Sequence, residues 1–422
     1  MSTIFAPITG RGGAISTLRL SGPDTFKIIQ ALAGALPQPR RAALRKLRHD
    51  GALLDEALLV TFPAPRSFTG EDVAEISLHG GRAVLAVVSA ALVALGARPA
   101  EPGEFSRRAF EHGRMDLLQA EAMADLIAAE TEAQRRQALD AGLHDQAADW
   151  RERLRQIIAR QEALIDFPDE DLPPEVEANL LAGISDLRDE MQHGLHAAPA
   201  ASRLRVGLEF VILGAPNAGK STLLNALAGE DVAIVSEIPG TTRDALGVRV
   251  DLGGVPVHLT DTAGVRETED AIEAEGVRRA KAKAGAADFV ILVAPPGADF
   301  AAAPPGAAVL RVRTKADLAE SPDEFCISAK TGAGMAALRA RLAEAAAALT
   351  DRQGAIALAR PRQIACVRDV VQALDMALAL AEPELRGEEL RMAASALARL
   401  AGGIGVEGIL DAVVSGVCIG EE

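Results

Sequence analysis

The chain has 422 residues, room for two to four domains at ~100–200 residues each, and 49% are hydrophobic, so sizeable cores can form. Aromatic residues make up only 3%, with no tyrosine, which predicts aliphatic, alanine-rich cores. A formal charge of −15 argues against broad nonspecific adhesion to nucleic acid while leaving room for a local basic patch, and three scattered cysteines (Cys326, Cys366, Cys418) offer neither a disulfide framework nor metal-ligand spacing.

The amino terminus carries no basic stretch followed by a cleavage signal. The longest apolar run, 83–97, is shorter than the ~20 residues of a membrane span and reads as a buried helix. These features predict a soluble cytoplasmic protein without membrane association. Residues 1–111 alternate apolar runs (13–20, 57–62, 73–78) with helical stretches, the pattern of a compact α+β domain. Residues 112–203 read as helical, because Leu117, Ala120, Ala124 and Ile127, then Leu154, Ile157, Ile158 and Leu164, recur at three- and four-residue spacing. Pro168, Pro173 and Pro174 mark a helix boundary within that stretch, and 197–202 reads as a linker.

Residues 204–349 carry the most informative stretch. Gly214-Ala215-Pro216-Asn217-Ala218-Gly219-Lys220-Ser221 follows an apolar strand-like run at 210–213 and opens a helix-like run that begins at Thr222. That is the strand–loop–helix setting of a GxxxxGK[ST] phosphate cradle. Its glycines let backbone N–H groups face phosphate oxygens, and the helix N-terminus adds partial positive charge. Lys220 would reach the β- and γ-phosphates and Ser221 would ligate Mg²⁺.

Three further elements follow in order. Asp261-Thr262-Ala263-Gly264 ends a strand-like run, with Asp261 placed for the magnesium shell and the Gly264 N–H for the γ-phosphate. Thr314-Lys315-Ala316-Asp317 ends another; the Asp317 carboxylate can accept from guanine N1–H and N2–H₂, which adenine lacks. Asn is usual at the first position of this element, and the Thr314 hydroxyl can make one of the two contacts an Asn amide makes. Ser328-Ala329-Lys330 supplies a loop over the base edge. Each tetrapeptide alone is weak; together in this order they indicate a GTPase. A Pro/Ala/Gly-rich stretch at 294–306 stands where such domains usually carry a helix.

Gly240-Thr241-Thr242-Arg243-Asp244 lies where a first switch segment belongs, and Thr242 could ligate Mg²⁺ while the γ-phosphate is present. Val265 occupies the place of the water-orienting Gln of small GTPases and cannot polarise water. A carboxylate among Glu267, Glu269, Asp270, Glu273 and Glu275 is the economical substitute, and residue chemistry does not choose among them. Counter-charge for the transition state could come from Arg243, from Arg266, or from a monovalent cation beside the Asn217 side-chain carbonyl.

Residues 350–422 are helical again at 361–380 and 388–400. Returning this tail to the earlier helices would make 204–349 an insertion; two independent helical modules flanking a GTPase domain are the alternative.

The phosphate loop through Gly229, Pro239-Gly240-Thr241-Thr242-Arg243-Asp244, Asp261-Thr262-Ala263-Gly264-Val265-Arg266-Glu267 and the terminal Cys418-Ile419-Gly420 resemble the MnmE (TrmE) family of tRNA-modification GTPases. So do Gly10-Arg11-Gly12-Gly13, Leu18-Arg19-Leu20-Ser21-Gly22, Ser67-Phe68-Thr69-Gly70-Glu71-Asp72, His79-Gly80-Gly81, Pro102-Gly103-Glu104-Phe105 and Asp116-Leu117-Leu118-Gln119-Ala120-Glu121-Ala122. The resemblance covers essentially the whole chain.

It implies an N-terminal folate-binding domain that forms a constitutive homodimer, and a helical domain split by a P-loop, Ras-like G-domain. It implies work with the FAD protein MnmG (GidA) to place an aminomethyl-type group on C5 of a tRNA wobble uridine, using a tetrahydrofolate derivative, 5,10-methylene- as donor or 5-formyl- as bound analogue. It further implies G-domains that dimerise across the nucleotide with K⁺ in place of an arginine finger. By motif, Asn217, Ser236, Ile238 and Thr241 match the K⁺ shell, Ser221 and Thr242 the Mg²⁺ ligands, and Glu273 the water-orienting glutamate that joins Lys220 as a catalytic candidate. The nucleotide-contacting segments are Asn217-Ala218-Gly219-Lys220-Ser221-Thr222, Ser236-Glu237-Ile238-Pro239-Gly240-Thr241-Thr242, Asp261-Thr262-Ala263-Gly264, Thr314 with Lys315 and Asp317, and Ser328-Ala329-Lys330. Arg19, Glu75 and Arg114 match folate-contacting positions. The family ends Cys-Ile-Gly-Lys, whereas this chain ends Gly420-Glu421-Glu422, reversing the charge. A regulatory GTP switch that binds RNA or a ribosome without modification chemistry is the alternative function.

Overall fold

A computed structural model describes residues 2–10, 12–140, 142–166, 174–229, 247–261, 285–319 and 325–402. Two compact units divide the chain: Met1–Ala128 together with Ser395–Glu422, and Ala129–Ala394.

The first unit is built on six strands, β1 (Ile4–Pro7), β2 (Ile15–Ser21), β3 (Ala43–His49), β4 (Ala52–Phe62), β5 (Val73–His79) and β6 (Arg98–Pro99). They lie in the order β3-β4-β5-β2-β1-β6, antiparallel except for the parallel β1/β6 pair. Period-two alternation sorts the side chains. Leu18 and Leu20 of β2 and Ala74, Ile76 and Leu78 of β5 enter the core. There they meet Ile28, Ile29 and Leu32 of α1 (Thr25–Ala33) and Val88, Ala91 and Leu92 of α2 (Arg82–Ala94). The 83–97 run is therefore mostly α2, buried along one side only: Val87 and Val93 are exposed.

The opposite side chains of the sheet remain partly open. Thr17, Arg19, Glu75 and Ser77 lie there, with Ile15, Leu44 and Leu58 exposed by 62%, 59% and 44%. Two more helices complete this unit, α3 (Glu104–Glu111) and α4 (Leu117–Ile127). The Asp116…Gln119 pair inside one family-like motif is a capping box: Gln119 N donates to Asp116 Oδ1 at 2.8 Å, and Asp116 N to Gln119 Oε1 at 3.0 Å.

The second unit joins a helical part to a five-stranded sheet. Its helices are α5 (Glu132–Leu139), α6 (Gly142–Asp166), α7 (Pro174–Val206), α8 (Lys220–Ala228), α9 (Met335–Thr350), α10 (Pro361–Ala379) and most of α11 (Pro383–Ala401). The late helices dock on the early ones. Arg188 of α7 reaches Asp375 of α10 at 2.9 Å, Gln161 of α6 donates to the Pro383 carbonyl at 2.8 Å, and Arg386 pairs with Glu177 at 3.0 Å. Chain order and these contacts make the sheet domain an insertion into one helical domain.

The proposed linker at 197–202 is not one. It lies within the last third of α7, a continuous 33-residue helix that contains Pro199. Four alanines among those six residues favour helix, and Ala198, Ala201 and Leu204 are buried, so packing outweighs the single proline.

The inserted sheet runs β11-β10-β7-β9-β8, with β7 (Leu208–Leu213), β8 (Gly247–Leu252), β9 (Val255–Asp261), β10 (Phe289–Ala294) and β11 (Val309–Arg313). Only the β8/β9 hairpin is antiparallel. Its near-continuous apolar strands are those of a sheet covered on both sides. One side packs α8 and α9 through Leu223, Leu227, Leu338 and Leu342. On the other, Phe300 and Ala301 of the Pro/Ala/Gly-rich stretch, with Ala307 just beyond it, cover Val211, Val290 and Leu292 without forming a helix. Arg313 pins this irregular cover, donating to the Pro295 carbonyl at 3.2 Å with its guanidinium 4.2 Å from the Phe300 ring centroid.

Candidate active site

The site lies beyond the carboxyl ends of β7, β9 and β11, where parallel α/β sheets gather ligands. After β7 the chain turns through Asn217 at φ +60° and Gly219 at φ +91°, then enters α8. Alternation between right- and left-handed backbone turns successive N–H groups to one side and forms an anion-binding concavity. Gly219 caps α8 without a side-chain bond, so the helix's first-turn N–H groups face the same hollow. Gly214 is required by close approach: a Cβ there would fall 2.3 Å from the Val293 carbonyl oxygen of β10.

Lys220 is only 5% exposed, and its Nζ donates to the Gly214 and Ala215 carbonyls at 3.0 and 2.9 Å. Burial pushes its ammonium pKa down, and the Asp261 charge opposes that shift. Ser221 Oγ donates to Asp261 Oδ2 at 2.6 Å across the β7/β9 neighbours, in whose register Asp261 lies opposite Ile212. A hydroxyl beside a carboxylate is an oxygen donor set suited to Mg²⁺, a hard cation. The glycine hollow, the buried cation and this oxygen pair fit a magnesium-bound nucleoside triphosphate.

At the next strand end, the Thr314 N–H donates to the Ala294 carbonyl at 3.0 Å. The Thr314 hydroxyl, buried, donates to the Ala218 carbonyl of the phosphate loop at 2.6 Å. Lys315 takes φ +58°, which turns the chain toward Asp317. Ser328 Oγ donates to Asp317 Oδ1 at 2.7 Å, and that bond, with nearby Lys330 and Lys315, holds the exposed carboxyl below its usual range. Ser328 thus links the two loops assigned to the base. Ser236 to Thr242, Thr262 to Gly264, Glu273 and the Cys418–Glu421 end lie outside the described residues.

In the first unit, Arg19 and Glu75 face each other across the β2/β5 register and pair at 2.8 Å. The Arg19 guanidinium lies 4.8 Å from the Phe68 ring centroid and 5.8 Å from that of Phe105. Arg114 runs past the same 67–72 loop, since a Cβ on Gly70 would stand 3.3 Å from its Cγ. The Arg19–Glu75 pair and Arg114 therefore border the same loop, and two rings flank Arg19 that sequence reasoning passed over, although Phe68 and Phe105 lie inside motifs that carry the resemblance. His79, from another of those motifs, meets Asp55: its Nδ1 lies 2.7 Å from Asp55 Oδ1 and its backbone N–H donates to Asp55 Oδ2 at 2.9 Å. Burial would raise the Asp55 pKa, but these bonds outweigh it and lower it.

Fold and site together define a P-loop nucleotide-binding domain set inside a helical domain, following an N-terminal α+β domain in chain order. The family model described as the N-terminus of the GTP-binding protein TrmE matches residues 3–114, and that of the MnmE helical domain matches 117–418. Proteins described as tRNA modification GTPase MnmE are 60% identical over 99% of this chain and 98% of theirs in Acidiphilium cryptum, and 55% over the same shares in Gluconacetobacter diazotrophicus. The chain belongs to the MnmE (TrmE) family. Among solved structures, the G domain of the T. maritima FeoB iron transporter is 26% identical over 33% of this chain, with a TM-score of 0.25. At that score the likeness adds nothing to the fold seen directly.

Proposed function

We propose that this protein hydrolyses GTP and uses the cycle to drive modification of C5 of a tRNA wobble uridine, together with MnmG and a tetrahydrofolate one-carbon unit. Family membership supports the reaction class, and the single observation that carries the nucleotide chemistry is the convergence of Lys220, Ser221 and Asp261 at adjacent strand ends. Lys220 and the α8 N-terminus would hold the β- and γ-phosphates, and Ser221 with Thr242 would hold Mg²⁺. Asp317, oriented by Ser328, would read guanine. Bound Mg²⁺ would neutralise charge on the transferred phosphoryl oxygens.

Glu273 would orient the attacking water, with K⁺ held by Asn217, Ser236, Ile238 and Thr241 supplying transition-state charge as the G-domains pair. Arg19, Glu75 and Arg114 would bind the folate: a guanidinium suits its carboxylates, and a carboxylate suits pterin donors. The exposed Ile15, Leu44 and Leu58 suit the homodimer contact. The domain plan within this reading is 1–111, 112–203, 204–349 and 350–422.

GTP turnover measured in KCl and in NaCl tests the cation role; equal rates would remove it. Glu273→Ala should slow hydrolysis by about 100-fold while leaving GTP binding nearly intact. Wobble uridines of cells lacking the protein should be unmodified; uridines still modified as in the wild type would favour a switch without modification chemistry.

A further inference from the structure

Thr314 is the one position of the guanine-reading element that departs from its usual residue, and the structure shows what the replacement does. Its side chain is 4% exposed, and Oγ1 donates to the Ala218 carbonyl oxygen at 2.6 Å, in the interior. A threonine hydroxyl has one proton. That proton is committed to the phosphate loop, so only lone pairs remain on Oγ1. N7 and O6, on the major-groove edge of guanine, are both acceptors and need a donor. Oγ1 therefore has nothing to offer that edge. An Asn amide carries two N–H donors, one for the loop carbonyl and one for the base.

Backbone geometry keeps Thr314 in this role. Its N–H is fixed by the Ala294 carbonyl at 3.0 Å, and its side-chain atoms would lie 3.6 Å from a Cβ on Gly219, against the turn that opens α8. Asp317 sits on the exposed side of the same loop, and Ser328 orients it through Oδ1.

We infer that Thr314 is a specificity-determining residue that ties the base loop to the phosphate loop and leaves guanine N7 unread, so that discrimination rests on Asp317 and the Watson–Crick edge. This deepens the GTPase reading and depends on it.

The test compares GTP, 7-deaza-GTP, which lacks the N7 acceptor, and ITP, which lacks the 2-amino group, as ligands of the full-length protein. The wild type should bind 7-deaza-GTP within two-fold of GTP and ITP at least about ten-fold more weakly. Thr314→Asn should create an N7 contact, so that this variant alone prefers GTP over 7-deaza-GTP by about five-fold. Thr314→Ser keeps the hydroxyl and should keep the wild-type ratio, a control that survives if the Asn variant fails to fold. A wild-type preference for GTP over 7-deaza-GTP of five-fold or more overturns the inference and leaves the GTPase reading intact. Failure of the wild type to bind any guanine nucleotide overturns both. ITP bound as well as GTP overturns the role given to Asp317, and the inference with it.

Discussion

Lys220 and Gly214 show how single residues of the phosphate loop are constrained from two directions. Lys220 is held inward by two loop carbonyls and depends on its burial; Gly214 is held by what lies behind it, the Val293 carbonyl of β10. A methyl group on Gly214 meets backbone, which cannot rotate away, so β7 and β10 must separate. Gly214→Ala should therefore destabilise the second unit by about 1–3 kcal/mol and weaken GTP binding, whereas Gly285→Ala, with open space around its Cβ, should do neither. Chemical denaturation and nucleotide titration of both variants measure this, and equal behaviour would refute the packing argument. The motif spacing revealed that Gly214 belonged to the loop. Its reason was illegible, because Val293 is 79 positions away and only strand pairing brings it near. The same holds for Thr314: sequence showed that it could make one of two contacts, and only the placing of β11 and β7 on either side of β10 reveals that the chosen partner is Ala218.

Elements whose signals are local were readable, and those set by distant packing were not. The capping box at Asp116, the strand runs of β2 and β5, and the start of α7 at Pro174 all announce themselves within a few residues. The end of α7 does not, because a proline in an alanine-rich stretch reads as a break until burial of Ala198 and Ala201 is known. Helix α3 makes the same point through charge. Glu104 opens it and is 8% exposed, gripped by Arg98 at 2.5 Å and by Arg108 at 2.8 Å, while Arg108 also reaches Glu71 at 3.0 Å. Burial alone would raise the Glu104 pKa, but bonds from Arg98, the Glu101 N–H and Arg108 bring it down to about 2. Because the folded-state value is depressed, its contribution is complete above the unfolded value near 4.5 and disappears as pH falls toward 2. The first unit should lose on the order of 1–3 kcal/mol across that window, allowing for screening by solvent. Glu104→Gln should lower stability at pH 7 and flatten the acid limb between pH 4.5 and 2. An unchanged acid limb in chemical denaturation would show that Glu104 does not carry it.

For the whole molecule, the insertion of the nucleotide domain has a measurable consequence. Sequence order alone suggested insertion, but independent flanking modules fitted the same order; contacts such as Arg188–Asp375 and Gln161–Pro383 decide between them. The chain's single tryptophan, Trp150, lies fully buried on α6, with Nε1 donating to Glu190 of α7 at 2.8 Å, in the same compact unit as the phosphate loop. With no tyrosine present, ultraviolet emission from the protein reports this unit. α7 runs through Val206 and β7 starts at Leu208, so one residue separates the helix that holds Glu190 from the strand that leads into the phosphate loop. A ligand that binds only the folded nucleotide domain stabilises it by about 2.7 kcal/mol at a hundred times its dissociation constant. If the helices and the inserted sheet unfold as one cooperative body, that stabilisation must appear at Trp150, whose hydrogen-bond partner, Glu190, belongs to α7 and not to the phosphate loop. The expected result is a rise of several degrees in the fluorescence-detected midpoint with GTP and Mg²⁺, absent in Lys220→Ala. Binding measured separately at room temperature distinguishes the two ways of failing. No binding would refute the nucleotide site itself; binding without a midpoint shift would mean that the inserted domain unfolds apart from the helices that frame it.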